Sequence, residues 1–175
     1  MCIIVSSKTS FSDSNFWGII IILLSTVHLN TAIFLGRLNL NYLVFSVRLP
    51  HLLGIIGASF VVFFTPLFYI LKRIRPGYVK ALLKLHMYGN TTSLMLVSLH
   101  EAYRLIRLPV GIGLLLFTFV ILLVLSGFVY RFGVLRPFKM LVKDIPHYNR
   151  FLHTSLTVSF YLVFIFHLLN VTDFQ

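Results

Sequence analysis

Hydrophobic positions in this chain fall into five long runs, at about residues 16–35, 51–71, 79–102, 110–130 and 148–171. Each holds about 20 residues or more, enough for a helix rising about 1.5 Å per residue to cross a hydrocarbon core of about 30 Å. The breaks between them are short and basic. Arg37 and Arg48 precede Pro50, Lys72-Arg73-Ile74-Arg75 runs into the turn signal Pro76-Gly77, and Arg104 and Arg107 precede Pro109. The last break, from Arg131 to Arg150, carries Arg136, Lys139 and Lys143 against Asp144, with Pro146 opening the final run. The pattern predicts an all-α membrane protein with five transmembrane helices in one domain, residues 16–171. A cytoplasmic N-terminal segment, 1–15, and a short outer tail, 172–175, flank it.

The runs are not equivalent. The second contains Pro66, tolerable in a membrane helix when neighbours satisfy the carbonyl it frees. The third is the most polar, with Asn90, Thr91, Thr92, Ser93 and Ser98, which are costly against lipid and belong inside a bundle. The fourth has no ionisable residue and reads as a lipid-facing scaffold.

Composition strengthens the membrane assignment: 58% of residues are hydrophobic, 11% are charged, and the mean hydropathy is +0.95. A soluble domain of 175 residues has too little interior to hide that much apolar side chain. Residues 1–15 lack the basic start, apolar core and small-residue cleavage site of a secretory signal. The net charge of +11 is explained by basic residues collecting in cytoplasmic loops, so membrane lipid rather than nucleic acid is the expected partner. Eleven Lys and Arg fall on the side of the N-terminus and the second and fourth breaks, and four on the other side. The positive-inside rule therefore predicts a cell-membrane protein with the N-terminus cytoplasmic and the C-terminus outside. The single Cys2 excludes an internal disulfide, a cysteine-held iron–sulfur cluster and a C-x-x-C-H haem attachment.

The candidate chemistry lies in the histidines. His86 and His100 are fourteen positions apart on the third run, and His153 and His167 fourteen apart on the fifth. Fourteen helical steps return to within about 40° of the starting direction and climb about 21 Å, so each pair shares a helix face with one imidazole toward each membrane surface. With both helices running inside to outside, His86 levels with His153 and His100 with His167. Neutral imidazole is a common haem iron ligand, and ionisable groups inside a membrane are usually functional. The expectation is two b haems, the inner iron on His86 and His153 and the outer iron on His100 and His167. Gly89, Asn90 and Ser93 share the face of His86, where Gly89 and Ser93 offer small side chains against a macrocycle. Thr157, Phe160 and Phe164 lie between the fifth-run histidines. Lys84, Arg104 and Arg150 are placed to meet propionates, and Thr154, Ser155 and Ser98 to fix imidazole tautomers. His28, His51 and His147 have no spacing partner; His51 and His147 read as exposed. Asn170-Val171-Thr172 fits the glycosylation pattern.

On these histidines the chain resembles the ferric reductase-like transmembrane domain, the membrane module of ferric reductases and NADPH oxidases. The stretches Ser126-Gly127-Phe128-Val129-Tyr130-Arg131 and Tyr148-Asn149-Arg150-Phe151-Leu152-His153 are similar to that family's passage from its fourth to its fifth span. The resemblance implies two stacked b haems between helices three and five. Members usually carry a sixth span, and many a flavin and NADPH domain. Ending after five spans, this chain is expected to receive electrons from a donor protein or a quinol. It would act as an electron-transfer subunit, with other membrane subunits of a redox complex, rather than as a self-sufficient enzyme. Two axial histidines leave no open iron position, so direct oxygen binding is not expected. Two other readings stay open: a quinol-reacting cytochrome b anchor of a respiratory complex, with a quinone near His28 or His51, and a haem-free scaffold or small transporter with packing histidines.

Overall fold

The computed structural model describes residues 14–106, 111–132 and 145–172. The first run is α1 (Ser14–Phe34). The second is a continuous rod, Leu49–Ile74, made of α2 (Leu49–Ser59), a π-helical segment (Phe60–Phe64) and α3 (Thr65–Ile74). A 3-10 turn at Pro76–Tyr78 leads into α4 (Val79–Leu105), followed by α5 (Ile112–Phe132) and α6 (Ile145–Thr172). The rods of α1, α2–α3, α5 and α6 are long and apolar enough to span a membrane. The fifth helix, α4, has 27 residues but is more polar. The chain is thus a helical membrane bundle. Large apolar side chains such as Ile21, Phe63, Phe151 and Phe166 face outward on it.

Polarity places α4 at the centre. It packs against α1, α2 and α5, while α6 packs along α5. Among the described residues α4 and α6 have no comparable packing against each other. Thr91, Ser93, Ser98 and Glu101 of α4 are buried, and each hydroxyl whose bond is resolved turns to a protein acceptor. Thr91 donates to the Met87 carbonyl at 2.8 Å, and Ser98 to that of Met95 at 2.7 Å while accepting from the Asn30 amide of α1 at 2.9 Å.

α5 is not the lipid-facing scaffold expected from its composition. Gly113, Leu116, Val120, Ser126 and Phe132 are buried, and the helix is wedged between α4 and α6. Hydropathy misses this because lipid tails are as apolar as leucine, so an apolar helix reads the same against either.

Between α1 and α2 the chain forms a two-residue hairpin, β1 (Leu43–Val44) antiparallel to β2 (Val47–Arg48), with Leu43 opposite Arg48. Its turn residues Phe45 and Ser46 have φ of 51° and 65°. That left-handed region favours Gly or Asn, which is why no turn signal marks the hairpin in the sequence. Tyr103 of α4 ties the connection down by donating to Asn41 Oδ1 at 2.9 Å.

Pro66 has no N–H to offer the carbonyl four residues back, Val62. The π-helical segment lies immediately before it, and the Tyr161 hydroxyl of α6 donates to the Val62 carbonyl at 2.9 Å. A side chain from a neighbouring helix thus supplies the donor that proline lacks. Tyr161→Phe is expected to cost about 1 kcal/mol, seen as a lower unfolding midpoint in detergent. The loss should shrink in a Pro66→Ala background, where the backbone regains its own donor. An equal loss in both backgrounds would show that the hydroxyl serves another purpose.

Candidate functional site

The four paired histidines all lie on α4 and α6, as their spacing requires, and each is partly buried. His86 and His153 line one cavity, together with Val61, Thr65, Asn90, Thr157, Phe160 and Tyr161. His86 stacks on Phe68 of α3, with ring centroids 4.5 Å apart and planes 16° apart. The Asn90 amide nitrogen lies 3.2 Å from both of its ring nitrogens. Asn90 Oδ1 is buried without a hydrogen-bond partner.

His153 is held more specifically. Its Nδ1 lies 2.8 Å from Ser126 Oγ, and the same hydroxyl lies 3.0 Å from the Leu123 carbonyl. The Ser126 hydroxyl therefore bridges the imidazole and the Leu123 carbonyl, and the contact fixes the orientation of the His153 ring. Asn149 reinforces the corner by donating to the Ser126 carbonyl at 3.1 Å.

His100 has an obligate acceptor as its partner. Its Nδ1 lies 3.1 Å from the Pro50 carbonyl at the start of α2, which fixes the proton on Nδ1 and frees Nε2. His51, one residue along, packs edge-on against His100 with ring centroids 5.2 Å apart. His51 is exposed, as expected, but it has a partner that spacing did not reveal. His167 is close enough to His100, Arg104 and Glu101 to interact electrostatically with them.

Several expected roles change. Arg104 lies in the last turn of α4 rather than in a loop, and its guanidinium pairs with the Glu101 carboxylate at 2.6 Å. It is therefore committed to a buried acid instead of standing free for a propionate. Gly89 and Ser93 pack toward the α2 rod. A Cβ on Gly89 would overlap the Phe60 ring, and one on Gly57 would come within 3.0 Å of the Ser93 carbonyl. Their small size serves helix approach, not a macrocycle. The imidazole partners are Asn90, Ser126 and the Pro50 carbonyl; Thr154 donates instead to the Arg150 carbonyl at 3.0 Å. Thr157 and Phe160 do line the cavity, with Phe164 stacked on Phe160 at 6.0 Å. Lys84 and Arg150 are exposed near the His86 and His153 ends of their helices. His28 is exposed on α1, and the sequon residue Asn170 is helical, donating to the Phe166 carbonyl at 2.9 Å. The side chain of His147, the tail 173–175 and Arg107, Pro109, Arg136, Lys139, Lys143 and Asp144 lie outside the described residues or side chains.

Glu101 is the residue that spacing overlooked. It is 2% exposed, and its charge-assisted contacts in the structure come from Arg104. The signal was readable as an acid three residues before a base on one helix.

The donor set is chemically suited to haem: paired imidazoles on two helices, with Nδ1 of His100 engaged by a carbonyl and that of His153 against Ser126 Oγ. The cavity between His86 and His153 is about 30 Å³, the size of one water, whereas ligand pockets start at about 300 Å³. Seating a macrocycle there requires α6 to move away from α4. Among the described residues no three His, Cys, Asp or Glu side chains converge as a metal cluster.

Fold and site together define a helical membrane protein with paired intramembrane histidines. No family model, curated protein or solved structure matches the chain, so the family resemblance rests on the histidine pattern and the stretches beside it.

Removing one member of the Glu101–Arg104 pair strands a buried charge, so Arg104→Ala is expected to destabilise by about 3 kcal/mol. Replacing both by leucine should recover most of that loss, because the desolvation cost disappears with the pair. Thermal unfolding of the two variants in one detergent checks the contrast.

Proposed function

We propose that this chain is a di-haem b-type cytochrome that carries electrons across a membrane as a subunit or partner of an oxidoreductase, in the manner of a ferric reductase-like membrane module. The observation that carries the proposal is that His86 of α4 and His153 of α6 line one cavity, with His153 Nδ1 held 2.8 Å from Ser126 Oγ. When bound, haem supplies the one-electron redox chemistry. His86 and His153 would hold the inner group, and His100 and His167 the outer one. Ser126 and the Pro50 carbonyl orient two of these imidazoles, and Asn90 contacts a third. Val61, Val120 and Phe160 give the inner site apolar walls. With the basic breaks inside, the N-terminus is cytoplasmic and the inner site lies toward the cytoplasm.

A dithionite-reduced minus oxidised spectrum of the purified protein, with a pyridine haemochrome assay, tests this directly. Two b haems per chain are expected, falling to one or none in His100→Ala. Ser126→Ala should keep the fold but lower haem retention about tenfold or more, the usual range for losing an outer-sphere partner. A well-folded, colourless preparation from haem-replete cells would leave the haem-free scaffold as the reading.

A second reading, a quinol-reacting anchor, draws on the exposed His51 ring against His100. In that case His51→Phe abolishes quinol-driven reduction while both haems remain bound. Unchanged quinol kinetics would remove His51 from consideration.

A further inference from the structure

The end of α3, the 3-10 turn and the first two turns of α4 border an open groove of about 480 Å³, lined by Leu71, Arg75, Tyr78, Ala81, Leu82 and Leu85. Its walls follow from helical spacing. Leu71 and Arg75 are one turn apart, and Tyr78, Ala81, Leu82 and Leu85 recur at the three- and four-residue intervals of a single face. The groove is apolar along its length, with a guanidinium and a phenol at its polar end.

Its surroundings are cationic. Lys72, Arg73, Arg75, Lys80 and Lys84 are all exposed around the α3–α4 corner. From residue 14 to residue 100 the chain contains no Asp or Glu. The carboxylate nearest in sequence, Glu101, is buried in its pair with Arg104 at the far end of α4. Among the described residues Glu101 is the one carboxylate, so none of them neutralises this corner.

We propose that the groove is a binding site for an anionic phospholipid of the leaflet it faces. One acyl chain lies along Leu71, Ala81, Leu82 and Leu85, and the headgroup phosphate is met by Arg75 with the flanking lysines. The volume lies within the range of ligand pockets of about 300–1,000 Å³. Basic pockets between helices on the cytoplasmic side suit anionic headgroups, and the positive-inside rule puts this corner on that side. Arg75 supplies bidentate hydrogen bonding to phosphate, which lysine does not. The proposal is independent of haem binding, since no histidine lines the groove.

Native mass spectrometry of the full chain in neutral detergent, titrated with phosphatidylglycerol and with phosphatidylcholine, tests it. Phosphatidylglycerol is expected to bind at least tenfold more tightly. Arg75→Gln should remove most of that preference. Ala81→Phe, which narrows the groove from its exposed edge without changing charge, should also weaken phosphatidylglycerol about tenfold. Both positions are exposed, and circular dichroism confirms that the helices persist. Equal affinity for the two lipids would overturn the proposal, as would Ala81→Phe binding phosphatidylglycerol like the parent, because surface charge alone would then recruit the lipid.

Discussion

Hydrocarbon offers no hydrogen-bond partners, so polar groups within the bundle turn to protein, with Asn30 Oδ1 and Asn90 Oδ1 the buried side-chain exceptions among the described residues. That constraint organises the fold around α4. Its threonine and serine hydroxyls turn back on their own helix, Ser98 also meets Asn30 of α1, and His100 meets the Pro50 carbonyl of α2. The Ser98–Asn30 and His100–Pro50 bonds tie α1 and α2 to α4, the two helices that pack most extensively against it. The same constraint acts on α2–α3, where Pro66 removes a backbone donor and Tyr161 of α6 replaces it.

These attachments give α5 and α6 unequal roles. α5 packs against α4 on one side and α6 on the other, so it sets the distance between the two histidine helices. α6 is tied in by Ser126, by Tyr161 and by its packing along α5. Its extensive packing is with α5, and what joins it to α4 and to the α2–α3 rod is a small number of side chains around the cavity that His86 and His153 share.

Helix number and rough bounds were legible because a bilayer imposes a length, and the interior placement of α4 because polar residues are expensive in lipid. The pairing of His86 with His153 was legible too, since fourteen residues return to one helix face. What was not legible depended on contacts distant in sequence. Nothing local distinguishes Ser126 as the partner of His153 from Thr154 or Ser155, although a lone serine in an apolar helix was a hint. His51 meets His100 only because the first turn of α2, with Pro50, lies beside the C-terminal part of α4. Gly89 and Ser93 were assigned to the wrong neighbour because a small residue admits any close surface, and here the surface is the α2 rod.

The hydrogen bonds of the histidines bear on what they do. A proton relay needs both ring nitrogens in a chain that continues, with donors and acceptors that exchange roles. The Nδ1 of His100 ends on a backbone carbonyl, and a carbonyl cannot pass a proton on, so no relay runs through that nitrogen. The other two resolved contacts are of a different kind: the Ser126 hydroxyl can serve His153 Nδ1 as donor or acceptor, and the Asn90 amide lies against both ring nitrogens of His86. What the three share is orientation, each ring being held by a polar group from the protein rather than by packing alone.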